Sequence, residues 1–106
     1  MHYEVEFEHG ALLDLKEATF YEVQFVFSVD KAKERMHDVM ERLNEDLSIM
    51  PARNPEKPYG FTESLRRKLV VGKYAAFYWI DESEGIVHVE RILHSKADFS
   101  RIHFGN

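Results

Sequence analysis

The chain has 106 residues, 44% hydrophobic and 31% charged, with no cysteine and a formal net charge of −5. That size and balance suit one compact domain, residues 1–106, with a real core, and the lack of cysteine excludes a disulfide framework, a thiol nucleophile and a thiolate zinc site. Overall acidity argues against a general nucleic-acid binder, since phosphate contacts need clustered Lys and Arg.

Residues 2–8 alternate, with Tyr3, Val5 and Phe7 on one face and Glu4, Glu6 and Glu8 on the other, which predicts a half-buried strand. Past Gly10, Leu12, Leu15, Thr19, Val23 and Val26 recur at three or four residues, so they are expected to form the core-facing stripe of a helix. Ser28 supplies a capping hydroxyl and Asp30 a charge that suits the positive end of a second helix. That helix carries Val29, Ala32, Met36, Val39, Met40, Leu43 and Leu47 inward until Met50-Pro51 stops it. All three prolines fall between Pro51 and Gly60, predicting the one long loop.

From Leu65 the period returns to that of strands. One strand runs to about Val71, and Gly72-Lys73 makes a turn. The uninterrupted run Tyr74–Ile80 then reads as a central strand covered on both faces. A further turn at Asp81–Gly85 leads to Ile86–Leu93, with Val87, Val89 and Leu93 expected on one side; Arg91 shares their parity, which is anomalous for a charge. The polar tail carries Phe99, Ile102 and Phe104, placed to tuck back as a turn of helix. The predicted fold is α+β, in the order β-α-α-β-β-β, with an antiparallel sheet covered on one face by a helical hairpin. Function is expected on the other face.

Charge is unevenly spread, with five Lys/Arg against twelve Asp/Glu in residues 1–50 and nine against seven in residues 51–106. Arg66, Arg67, Lys68 and Lys73 are close in sequence, so a local basic patch is expected on an acidic protein. The N-terminus lacks the basic stretch and apolar run of a signal peptide, and no segment approaches the roughly 20 apolar residues of a membrane span. A cytoplasmic location without membrane contact is expected. The six histidines form no i,i+4 pair, so neither a metal site nor a cofactor is expected.

Three strings then stand out: Leu69-Val70-Val71-Gly72-Lys73-Tyr74, Phe77-Tyr78-Trp79-Ile80-Asp81-Glu82, and Val87 through Asp98 with its Arg91-Ile92-Leu93-His94 core. Their order, with the helical hairpin and Pro-rich loop upstream, resembles the RelE/ParE toxin superfamily, which includes plasmid-stabilisation proteins. The resemblance covers nearly the whole chain and implies the toxin of a type II toxin–antitoxin module, held inactive by a cognate antitoxin. Two activities follow from it. One is ribosome-dependent messenger RNA cleavage, an endoribonuclease activity as in the RelE branch; the other is poisoning of DNA gyrase, as in the ParE branch. A degenerate member kept as a non-toxic binding module is a third possibility.

Cleavage by the 2′-hydroxyl needs a base, an acid and cations around the developing charge. By resemblance, Arg66 and Lys68 match two basic positions before the glycine turn, and Lys96 matches one after the last strand. Arg91 and His94 complete the candidate catalytic set, with His103 as a further proton-transfer group. Each also has a plain structural explanation: a solvated strand charge, an internal ion pair, or an exposed polar turn. Two departures count against cleavage: Ala75 stands where many of the nucleases carry Arg, and their tyrosine near the C-terminus is missing. Phe20, Phe25 and Phe27 exceed the needs of one helical stripe, and are available to dock the antitoxin, to form a homodimer or to thicken the core.

Overall fold

The computed structural model describes residues 2–104. Its elements are β1 (Glu4–Phe7), α1 (His9–Val26), α2 (Val29–Ile49), β2 (Lys57–Tyr59), β3 (Ser64–Val71), β4 (Tyr74–Asp81) and β5 (Ile86–His94), with single 3-10 turns at Pro51–Arg53 and Phe99–Arg101. They form a five-stranded sheet in the order β1-β5-β4-β3-β2. The α+β architecture and the helical hairpin are as expected, and two details of the sheet differ.

First, β1 pairs with β5 in parallel, so the sheet is mixed rather than wholly antiparallel. Tight turns dictate antiparallel pairing from β3 to β5, but β1 leaves through two helices, and no hairpin fixes its direction. Second, the Pro-rich loop contains β2, which places Lys57, Pro58 and Tyr59 opposite Arg66, Leu65 and Ser64. Pro58 is tolerated because β2 is an edge strand, where a missing N–H leaves no ladder bond unmade.

β4 is central, and its alternation serves two cores. Tyr74, Ala76, Tyr78 and Ile80 face the helices, while Ala75 and Phe77 face outward to meet Ile102, Phe99 and Phe104 of the tail. The tail therefore tucks back as its apolar residues suggest. Tyr78 is fully buried and its hydroxyl donates to the Pro51 carbonyl at 2.6 Å, anchoring the chain where α2 ends.

α2 follows its predicted stripe through Ala32, Met36, Leu43 and Leu47, capped by the Ser28 hydroxyl, which accepts from the Lys31 N–H at 3.2 Å. Val29 is the exception, exposed at the first turn. α1 departs further: it is rotated from the predicted stripe, burying Ala11, Asp14, Leu15, Ala18 and Glu22 while leaving Leu12, Leu13, Phe20 and Phe25 exposed. Apolar spacing failed here because two carboxylates on this helix have partners beneath it, and the small Ala11 and Ala18 let the helix approach closely.

Glu22 is 1% exposed. It accepts from the Tyr74 hydroxyl at 2.7 Å, from Lys73 Nζ at 3.0 Å and from Arg35 at 3.0 Å, tying α1 to α2 and to the β3–β4 turn. Burial pushes its pKa up, but the bonds from Tyr74, Lys73 and Arg35 together outweigh burial and hold it below the ordinary 4.5. Burial, followed by donation to Glu22, raises the Tyr74 hydroxyl well above its usual range.

A lowered folded pKa stabilises the fold above the unfolded value and loses that contribution as pH falls through the folded one. Stability is therefore expected to decline below about pH 4.5, by a component absent from Glu22→Gln, as read by urea denaturation across pH. At neutral pH Glu22→Ala is expected to cost about 1–3 kcal/mol, chiefly because the buried Tyr74 hydroxyl loses its acceptor.

Candidate functional site

The last strand explains the anomaly of Arg91. Phe77 pairs with Arg91 but Tyr78 pairs with Val89, so Glu90 is an extra residue, a β-bulge, in β5. Parity reverses across it. Val87 and Val89 face the helices, whereas beyond the bulge Ile92 does so and Leu93 joins the outer core, correcting the expectation that Leu93 lies with Val87 and Val89. β1 ends at Phe7, opposite Val89, so the far half of β5 has a free edge over which Arg91 reaches α1.

There Arg91 grips Asp14 with two bonds, Nε to Oδ2 at 2.7 Å and a terminal nitrogen to Oδ1 at 3.0 Å. The same carboxylate accepts the Ile92 backbone N–H at 2.9 Å, and the third guanidinium nitrogen holds the His103 carbonyl at 3.0 Å. Asp14 is 6% exposed, and its bonds raise the pKa of Arg91 further, keeping it charged. Gly10 makes room for this clamp: a Cβ there would meet the Glu90 carbonyl at 3.0 Å and Arg91 Cδ at 3.2 Å.

The bulge residue Glu90 is buried and accepts from Arg66 Nε, while the Arg66 guanidinium lies 4.8 Å from the centre of the Phe104 ring. Lys68 shares that outer face, its ammonium 5.3 Å from the Phe99 ring centre and 5.8 Å from that of Tyr59. Ala75 is 0% exposed under the same tail, so an arginine in its place would displace the tail from the sheet.

His94 and Lys96 are placed elsewhere. With Glu17, Tyr21 and Tyr74 they line a cleft of about 540 Å³ between α1 and the end of β5. His94 Nδ1 accepts from the Lys96 backbone N–H at 3.2 Å, and its ring meets Tyr21 and Tyr74 edge-on at 5.8 and 5.9 Å. The five candidates thus fall into three groups: Arg66 and Lys68 under the tail, Arg91 in the clamp, and His94 with Lys96 in the cleft. His103, whose carbonyl meets Arg91, stacks its ring on Phe61 at 5.5 Å.

Asp14, Glu22 and Glu90 determine this arrangement, and none was singled out from sequence. The available signal was the anomalous parity of Arg91, a buried-position cation in want of an acid. Among the described residues, Glu6, Glu8 and His88 are the group that brings three metal-type donors together; Glu8 and His88 share a cleft with Arg91, and none of the other four candidates lines it.

A family model described as the ParE toxin of type II toxin–antitoxin systems, parDE, matches residues 5–99. The chain belongs to this family. The crystal structure of the toxin–antitoxin complex RelBE2 from Mycobacterium tuberculosis contains a chain of the same fold, with a TM-score of 0.62 and 23% identity, covering 89% of this chain and 99% of that one. At that identity the likeness is one of fold. No curated protein matches the sequence significantly. Among the described residues, no helix of this ParE-family chain is long and apolar enough to cross a membrane.

Because Arg66 is paired with a buried acid, Arg66→Ala is expected to cost about 3–5 kcal/mol in denaturant unfolding by leaving Glu90 uncompensated. With these cations engaged internally, single-stranded RNA is expected to bind weakly at physiological salt. The slope of log affinity against log salt should be shallower than about −2, or fewer than roughly three phosphates neutralised.

Proposed function

We propose that this chain is the toxin of a type II pair, neutralised in the cytoplasm by a cognate antitoxin, and that it arrests growth by poisoning DNA gyrase rather than by cleaving messenger RNA. The observation that carries this reading is the internal neutralisation of its cations. Arg66 faces Glu90, Arg91 faces Asp14 and Lys73 faces Glu22, while Lys68 lies against the rings of Tyr59 and Phe99. An RNA-cleaving site needs cations preorganised toward a phosphate, and here the same groups are directed at carboxylates and aromatic rings of the protein itself. A proteinaceous target makes no such demand.

Cleavage keeps one point of support: His94 and Lys96 line a common cleft with two tyrosines, a set able to move a proton beside a cation. The antitoxin reading rests on the family and on α1, where Leu12, Leu13, Phe20 and Phe25 are exposed apolar side chains available to a covering helix or strand.

Expression of the chain without an antitoxin, followed by mapping of transcript 5′ ends and of plasmid supercoiling in arrested cells, separates the targets. The expected result is intact translated messages with relaxed or cleaved DNA, unchanged in His94→Ala. New ends within translated messages that disappear in His94→Ala or Lys96→Ala would instead establish the nuclease. Growth without arrest would identify a non-toxic binding module. Replacing Phe20 and Phe25 by Ser is expected to leave toxicity intact and to weaken rescue by a co-expressed antitoxin at least tenfold, scored by viable counts.

A further inference from the structure

On the outer face of the sheet, register places Glu6 of β1 directly opposite His88 of β5, and His88 directly opposite Trp79 of β4. Glu8, the extended residue between β1 and α1, follows Glu6 by two positions and so shares its face. Glu8 Oε1 lies 2.5 Å and Glu6 Oε2 3.8 Å from His88 Nδ1, and the three donor atoms all fall within 4.8 Å of one another. We propose that Glu6, Glu8 and His88 bind a divalent transition-metal ion of the Zn²⁺ type.

Three features support a site over a simple ion pair. The His88 ring is fixed before any ion arrives, because the Trp79 indole stacks on it at 4.4 Å with the planes 13° apart and leaves its side chain 16% exposed. Its Nδ1 is thereby aimed at the carboxylates, while both glutamates are about half exposed and free to adjust. Bonds of about 2.0–2.2 Å in tetrahedral geometry require donors roughly 3.2–3.6 Å apart, within reach of small glutamate rotations. Charge also favours a cation: two carboxylates converge on one imidazole, so the cluster stays negative even when that imidazole is protonated.

One nitrogen and two oxygens suit zinc and its neighbours better than calcium or magnesium. The three protein donors leave a fourth position to water or to another donor, and His9 and His103 line the adjoining cleft of about 640 Å³. The ion would join β1, a strand of four residues, to the strand it pairs with. Such a clasp stabilises the fold by mass action.

The test uses the full chain, free of tag histidines and stripped with chelator. Zn²⁺ is titrated by calorimetry and thermal melting, and Co²⁺ by fluorescence of Trp79, the single tryptophan. The expected result is one ion per chain, a rise in Tm, and quenching of Trp79 by Co²⁺. His88→Gln and Glu6→Gln should each weaken binding by more than the roughly 10–100-fold typical of an outer-shell change. His37→Gln, which removes a histidine–carboxylate pair elsewhere, 3.1 Å from Glu41 on α2, should leave binding unchanged. No saturable binding, binding that survives His88→Gln or Glu6→Gln, or binding abolished by His37→Gln would overturn the proposal. Should His88→Gln fail to fold, the half-exposed Glu6→Gln decides alone.

Discussion

The Asp14 carboxylate lies almost out of solvent between α1 and β5, where an unpaired charge would cost several kcal/mol, and Arg91 meets it with a two-bond grip. Much else is arranged around that contact. The bulge at Glu90 turns Arg91 toward the free edge of β5, Gly10 clears space for it, and the third guanidinium nitrogen brings in the tail through the His103 carbonyl. Two helical turns further along the same face, Glu22 repeats the device with Lys73, Arg35 and Tyr74. α1 is thus seated by charge and hydrogen-bond geometry as much as by apolar burial. Its hydrophobic surplus is left facing outward.

The same contacts engage Arg66, Lys68 and Arg91 within the protein itself. The bulge that frees Arg91 also buries Glu90, which takes Arg66, and the tail rings lie against Arg66 and Lys68. One irregularity in β5 therefore shapes the edge clamp and the outer face together. Polar networks of this kind hold a fold when every member is satisfied, and no buried side-chain donor or acceptor among the described residues lacks a partner.

Much of the fold could be read from periodicity because most elements obey one rule each. α2 has a single apolar stripe, β4 is apolar on both faces and is central, and Phe99 with Ile102 and Phe104 marked the tail as a cover. The failures share a cause. The rotation of α1 depends on Asp14 and Glu22 meeting cations more than fifty residues away, which local spacing does not encode. The parity of β5 breaks at a bulge that hydrophobic alternation registers as an anomaly at Arg91. β2 was hidden because Pro58 reads as a loop residue unless its edge position is known. The candidate site was less legible than the fold: each basic residue was visible, but what it faces is set by tertiary pairing.

The most direct measurement of the central claim is a double-mutant cycle on Asp14→Ala, Arg91→Ala and the combined variant, read by denaturant unfolding at neutral pH. If this pair seats α1, the two changes should be strongly non-additive, with a coupling of about 1.5 kcal/mol or more. A coupling near zero, with each change costing little on its own, would contradict the account and return α1 to a helix held by its apolar contacts alone.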